Sequence, residues 1–407
     1  MLSALLCATA LAACGGDNSP AANATPARSA PAVQICPGQS ADQTGQVSAS
    51  KAIQACIDQR GPGGSLALPA GTYLMTSQLK IVFPFTLQTQ GLSGSTQTCT
   101  AGANCATLKA APAFSERFGI IFVGGAGSID HFVLDHVTLD GNRAARLTGK
   151  ARDGCISGDN RYGFNATVQN CSSCKMVYSA SINALCGTGM NWAGNFATIE
   201  NNIFANNGDH DAPSLWSDGL SVEMANDSSI QNNRLTDNSD VGLISFGAAR
   251  STIAGNVIAQ ANAEAFAGLM LDSLNTGDFS DTQIAHNTVS CSPGKCFFGI
   301  NIGPRPWYPE NKPVFGGSLK GNTITGGTIG LNVSGTMDGT QRMYVGDNNL
   351  LGSYPNDQVA CRKAGTLVRS AFSRDPDLAQ SAISLGTNYL NHVPIDPVLQ
   401  STDHCIN

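Results

Sequence analysis

The chain has 407 residues, 45 of them glycine, with 42% hydrophobic and only 13% charged residues and a formal net charge of −6. So mild an acidic balance excludes the basic surface that nucleic acid or an anionic membrane face would need. No stretch reaches the length of about 18 apolar residues that a membrane-spanning helix requires.

Residues 1–14 come first. Met1 to Ala13 is short, apolar and rich in Ala and Leu, and it ends Leu11-Ala12-Ala13-Cys14-Gly15. This resembles the bacterial lipoprotein signal, which implies lipidation of Cys14 and a membrane-anchored protein of the cell envelope, with plain secretion as the alternative. Residues 15–35 mix Ser, Ala, Pro, Asn and Gly with little apolar bulk, a composition expected of a disordered linker. Setting aside Cys7 and Cys14 leaves twelve cysteines, an even number that suits an oxidising compartment. Cys99 with Cys105 and Cys291 with Cys296 are expected to close short loops, and Cys361 with Cys405 to tie down a tail at 391–407. Cys171-x-x-Cys174 has no second close pair and no adjacent His to complete a zinc site.

Val47, Ala49, Ala52, Ile53, Cys56 and Ile57 fall on one helical face, which predicts a capping helix within about residues 42–60. The run that follows, Gly63-Gly64-Ser65-Leu66-Ala67-Leu68-Pro69-Ala70-Gly71-Thr72-Tyr73, resembles the opening coil of the pectate-lyase superfamily, as does Leu139-Asp140-Gly141-Asn142 further on. The resemblance spans roughly residues 36–355. It implies a parallel β-helix and a carbohydrate partner more strongly than any one reaction. Ala144 to Gly163 interrupts the pattern with Arg146, Lys150, Arg152, Asp153 and Arg161. It is expected to be a solvated loop, with a basic contact to an acidic sugar as the alternative.

From about residue 199 a short pattern repeats. Gly219, Gly242, Gly268, Gly299 and Gly330 each open a run with apolar groups two apart. A second phase carries Asn202, Asn233, Asn256, Asn287 and Asn322. Runs so short, bounded by turn residues, predict strands, and a fixed period predicts a solenoid. The expected fold is all-β: a single right-handed parallel β-helix over residues 36–390, monomeric, with asparagines stacked at a sharp corner.

Reactive side chains are densest in Asn206-Asn207-Gly208-Asp209-His210-Asp211, Trp216-Ser217-Asp218-Gly219 and Asp237-Asn238-Ser239-Asp240. Trp216 to Gly219 is similar to the first aspartate motif of the polygalacturonases, and Ser239-Asp240 to the second, which implies acid and base roles for Asp218 and Asp240. Aligned on the glycines, however, Asp218 lies one residue before Gly219 and Asp240 two before Gly242. Neighbouring strand residues face opposite ways, so the two meet only if a bulge or turn intervenes; otherwise both are corner aspartates. His210 is the other candidate acid or base. Asp209 and Asp211 are candidate calcium ligands. Trp216, Trp307 and Tyr308 are candidate sugar-stacking faces, and Glu223, Arg234 and Arg305 further substrate contacts. The leading expectation is hydrolysis of an acidic polysaccharide. A uronate lyase or C5 epimerase would instead need a base and a cation, for which Arg234, Lys295 and Arg305 are the candidates. A surface protein that binds glycan without cleaving it is the expectation of another class.

Overall fold

A computed structural model describes residues 32–100, 104–212, 214–274, 276–303, 314–336, 342–361, 365–376 and 383–402. Cys14, most of the expected linker, Arg305, Trp307, Tyr308 and Cys405 lie outside the described residues. Each coil contributes one short strand to each of three sheets, as Ser229–Gln231, Arg234–Thr236 and Val241–Ser245 do before the next coil opens at Thr252–Ala254. The first sheet stacks 11 strands from Gly64–Leu68 to Ile383–Leu385, the second 13 from Thr44–Ser48 to Val393–Ile395, and the third 11 from Leu79–Ile81 to Val398–Leu399. Apart from the second sheet's last pair, Asn388–Leu390 with Val393–Ile395, neighbours in these sheets are parallel. Successive coils are in register, so that Ile199, Ile230, Ile253, Ile284, Leu319 and Val345 form one buried column inside the coil.

The corner between the first and second sheets holds the asparagine ladder. Side-chain amides join Asn202, Asn233, Asn256, Asn287, Asn322, Asn348 and Asn388, each Nδ2 donating to the next Oδ1 at 2.8 to 3.0 Å. The ladder is two members longer than the repeat alone suggests. It does not itself supply the left-handed backbone: the residue before six of the seven ladder asparagines does, as Asn201, Asn232, Gly255, His286, Gly321 and Asp347 have positive φ. One residue turns the corner while its neighbour points inward and bonds.

The glycine phase marks the third sheet. A Cβ on Gly219 would lie 2.6 Å from the Gly242 carbonyl oxygen, one on Gly242 2.5 Å from that of Gly268, and one on Gly299 2.5 Å from that of Gly330. Only a residue without a side chain fits this column. The column also breaks strict alternation. Leu220, Leu243, Leu269, Ile300 and Leu331 join the inner core, while Val241, Ala267, Phe298 and Ile329, the residues just before the glycines, join a second apolar cluster with Ile244 and Met270. Positions one before and two after each glycine thus share the outer face, which places Asp218 there together with Ser221.

At the N-terminal end the helix Ser50–Arg60 buries Ile53, Cys56 and Ile57 against the first coil. Val47 is exposed in the strand Thr44–Ser48, because the helix begins three residues later than its apolar pattern. The expected linker ends early, since Ala32–Cys36 pairs with Gln39–Asp42. The expected tail also keeps sheet structure, through Val393–Ile395 and Val398–Leu399. Disulfides close Cys99–Cys105 and Cys291–Cys296 as the spacing predicts, and also Cys36–Cys56, Cys155–Cys186 and Cys171–Cys174.

Ala144 to Gly163 is folded and not a loose loop. It carries the helix Lys150–Ile156, packs Ala151 and Cys155 against Leu185, Cys186 and Leu215, and is bolted to the coil by Cys155–Cys186. The Arg146 side chain, which sequence offered as a sugar contact, is 1% exposed and donates to the carbonyls of Gly141 and Tyr162 at 3.0 and 2.9 Å.

Candidate active site

Three aspartates from successive coils meet on the outer face of the third sheet. Asp218 lies in the strand Ser217–Glu223, Asp240 in the turn just before Val241–Ser245, and Asp272 just after Ala265–Leu271. They line one open cleft of about 330 Å³ with Asn160, Gly187, Trp216, Ile244, Phe246 and Leu274. The register problem is resolved by the glycine column for Asp218 and by the turn for Asp240. That turn is pinned where the Asp240 carbonyl accepts the Phe266 N–H at 2.7 Å.

Each carboxyl has a distinct setting. Asp218 Oδ1 accepts the Val241 N–H at 3.1 Å and Oδ2 is 2.8 Å from the Ser221 hydroxyl. Burial, then the nearby Asp240, pushes its pKa well above the usual carboxylate range, with a smaller push from Asp272. Asp240 is pushed up to about 7 by burial, and its Oδ1 has no hydrogen-bond partner among the described residues. Asp218 and Asp240 keep some solvent access at the cleft floor, beside an outer apolar cluster that runs on to Val359 and Leu367. Asp272 is 1% exposed and pushed up to about 6 by burial. Its Oδ1 accepts the Ser273 N–H, while Oδ2 has no hydrogen-bond partner among the described residues. No Lys, Arg or His lines the cleft among the described residues.

The stretch Asn206 to Asp211 faces a separate hollow of about 300 Å³, which also takes in Arg143, Asp237, Asn262, Glu264 and Lys295. Between the two stands a ring pair: His210 stacks on Trp216 with centroids 4.4 Å apart and planes 9° from parallel, and the Trp216 indole N–H donates to the His210 carbonyl at 2.9 Å. His210 Nδ1 donates to the Ser239 carbonyl at 3.1 Å, and Nε2 lies 3.6 Å from Glu264 Oε2. The imidazole therefore braces the cleft wall from behind, and does not share the cleft with Asp218 and Asp240. Asp209 Oδ1 accepts the Asp211 N–H, and no group of three or more His, Cys, Asp or Glu side chains among the described residues converges as a metal site. Asp237 is structural. Burial would raise its pKa, but the backbone N–H groups of Ala261, Asn262 and Ala263 and the Asn262 amide hold it low. Arg234 lies on the second sheet, away from the cleft. Glu223 closes the far end of the Asp218 strand and lines neither hollow.

Residues 121–302 match the family model described as a right handed beta helix region. The chain's fold is the right-handed parallel β-helix. Solved structures agree on this fold. The A-module of the mannuronan C-5 epimerase AlgE6 of Azotobacter vinelandii is 13% identical over 86% of this chain and 91% of its own, with a TM-score of 0.55. An endo-xylogalacturonan hydrolase from Aspergillus tubingensis is 13% identical over 90% and 96%, with a TM-score of 0.55. A hyperthermoactive exopolygalacturonase from Thermotoga maritima is 12% identical over 87% and 90%, with a TM-score of 0.53. No curated protein matches the sequence.

Two polar members of this β-helix cleft escaped the sequence reading. Asp272 follows its glycine, Gly268, by four residues and resembles no motif, so only its place one coil beyond Asp240 reveals it. Asn160 arrives on the disulfide-bolted insert. Cys155 and Cys186, 31 residues apart, were the available signal, had the two been paired.

Proposed function

We propose that this protein hydrolyses glycosidic bonds of a polysaccharide by carboxylate acid–base catalysis in the cleft of Asp218, Asp240 and Asp272. The observation that carries the reading is the stacking of three carboxyl groups, each with a raised pKa, at the floor of one open cleft. Like charges so placed cannot all ionise together near neutrality. One group thus holds a proton for the leaving oxygen while another takes the proton of the attacking water. Trp216 and Phe246 on the cleft wall supply apolar faces for sugar rings. The three neighbours named above are enzymes named for polysaccharide substrates, which supports this class of substrate. Arg143 and Lys295 in the adjoining hollow suit an acidic chain that extends beyond the cleft. The five disulfides among the described residues suit an exported protein, and anchoring through a lipidated Cys14 belongs to the same proposal.

A lyase or C5 epimerase is less well supported. Its candidate base Lys295 lines the adjoining hollow and Arg234 the second sheet, so neither reaches the aspartates. The test is a panel of neutral and acidic polysaccharides assayed for new reducing ends and, in parallel, for the absorbance of unsaturated uronates. New reducing ends without that absorbance are expected. Asp218→Asn and Asp240→Asn should each lower the rate at least about 100-fold. Wild-type rates in both variants would overturn the reading.

A further inference from the structure

Within this reading of the cleft as a hydrolase site, one contact chain distinguishes the two central aspartates. Asp218 Oδ2 lies 2.8 Å from Ser221 Oγ, Ser221 Oγ 2.9 Å from Thr188 Oγ1, and Thr188 Oγ1 3.0 Å from the Met190 carbonyl oxygen. Thr188 pairs with Asp218 across adjacent strands of the third sheet, and both hydroxyl residues are buried. The protons in this chain can be counted. A carbonyl only accepts, so the Thr188 hydroxyl donates to Met190. Ser221 must then spend its single proton on Thr188. The last contact needs a proton as well, and only the Asp218 carboxyl is left to supply it. Asp218 Oδ1 is occupied by the Val241 N–H, so that proton is assigned by this count to Oδ2, in place of the Ser221 donation that an ionised carboxylate would receive.

We propose that Ser221 and Thr188 are positioning residues that hold Asp218 in its neutral form and so assign it as the general acid, with Asp240, the first of the two to lose its proton, as the base. In the reaction the Oδ2–H turns from Ser221 to the glycosidic oxygen and the bond from that oxygen to the anomeric carbon breaks. Water adds to the carbon and gives its proton to Asp240. The Ser221 hydroxyl then turns to donate to the new Asp218 carboxylate and gives up its bond to Thr188. The titratable groups that act on Asp218 are Asp240 and Asp272; no cation lines the cleft among the described residues. Among the described residues Asp240 has no such hydroxyl chain to hold a proton in place.

Thr188→Val keeps the shape of the side chain and removes the hydroxyl. Ser221 is then released to donate to a carboxylate, which favours the ionised form of Asp218. The basic limb of the kcat/KM profile should move to lower pH by about half a unit to one unit, the worth of one net hydrogen bond. The acidic limb should stay in place, and Thr188→Ser, which keeps the hydroxyl, should restore the wild-type profile. An unmoved or raised basic limb in Thr188→Val would overturn the proposal, as would equal profiles for Thr188→Val and Thr188→Ser. Thr188→Ala serves if the valine variant misfolds. An activity-free readout separates this proposal from the hydrolase reading: isotope-edited infrared spectra of labelled aspartate, assigned with Asp218→Asn. They should show Asp218 as a neutral acid near pH 6, where an ordinary aspartate is ionised. An ionised Asp218 there overturns the proton assignment even if every polysaccharide is left uncut.

Discussion

Burial of carboxyl groups couples the chemistry of the cleft to the stability of the chain. Burial pushes Asp240 up to about 7 and Asp272 up to about 6 in the folded protein, against about 3.9 in an unfolded chain. The folded state therefore binds more protons than the unfolded one between about pH 4 and 7, and stability falls as pH rises through that window. Asp42 works the other way at lower pH. Despite the upward push of burial, the Thr44 hydroxyl and the N–H groups of Thr44, Val47 and Gln46 hold it at about 2, so its contribution is lost only as pH falls towards that value. Melting temperatures between pH 4 and 7.5 should decline less steeply for Asp240→Asn than for the wild type, and parallel curves would rule out a buried, proton-holding Asp240. Asp218 and Asp240 stood out in the sequence as candidates because Trp216-Ser217-Asp218-Gly219 and Ser239-Asp240 resemble the aspartate motifs of the polygalacturonases. Their raised pKa values were not legible there, since these come from burial and, for Asp218, from Asp240 and Asp272 arriving beside it out of later coils.

Elements in this fold are defined by what stacks on them, and the glycine column shows this most directly. Gly242→Ala puts a methyl group 2.5 Å from the Gly268 carbonyl and 2.7 Å from Ile258 Cγ2, between the coil of Asp240 and that of Asp272. The backbone must move there, at a cost of about 3 kcal/mol, and the carboxyl groups move with it. Gly330→Ala meets the Ala371 carbonyl at 2.7 Å, far along the sheet from the cleft. Both variants should melt lower, but only Gly242→Ala should lose activity beyond what its folded fraction explains; equal residual activity would show that the column does not place the cleft. The sequence announced the column by its period. It could not announce the insert 144–163, whose helix is short and whose packing depends on Leu185 and Leu215 from later coils. Nor could it separate Asp209 and Asp211 from Asp218, because only the stacked His210 and Trp216 divide the two hollows.

Over the molecule as a whole, the asparagine ladder joins seven coils through buried amides. Asn256 lies within it, accepting from Asn233 and donating to Asn287 and to the Ile230 carbonyl. Asn256→Ala leaves the Asn233 amide and the Ile230 carbonyl without these partners inside the coil, a loss of about 2 to 4 kcal/mol. A solenoid transmits such a loss only to adjacent coils. Urea unfolding should therefore show a clearly lower midpoint for Asn256→Ala than for Asn388→Ala at the ladder's end, and equal midpoints would mean the ladder adds little to the stack. The period of Asn202, Asn233 and Asn256 made this architecture readable, since repetition carries long-range information in local sequence.

The position before the glycine recurs along the third sheet with the same outward aim, occupied by Asp218 on one coil and by Val241, Ala267, Phe298 and Ile329 on those that follow. That slot is generic, and only its occupant is special. The proposed acid thus stands in a place that the winding repeats, and what sets its coil apart is the company of Asp240 and Asp272, which lie outside that slot, so the backbone turn before Val241 as well as the side chains gives the cleft its address along the axis.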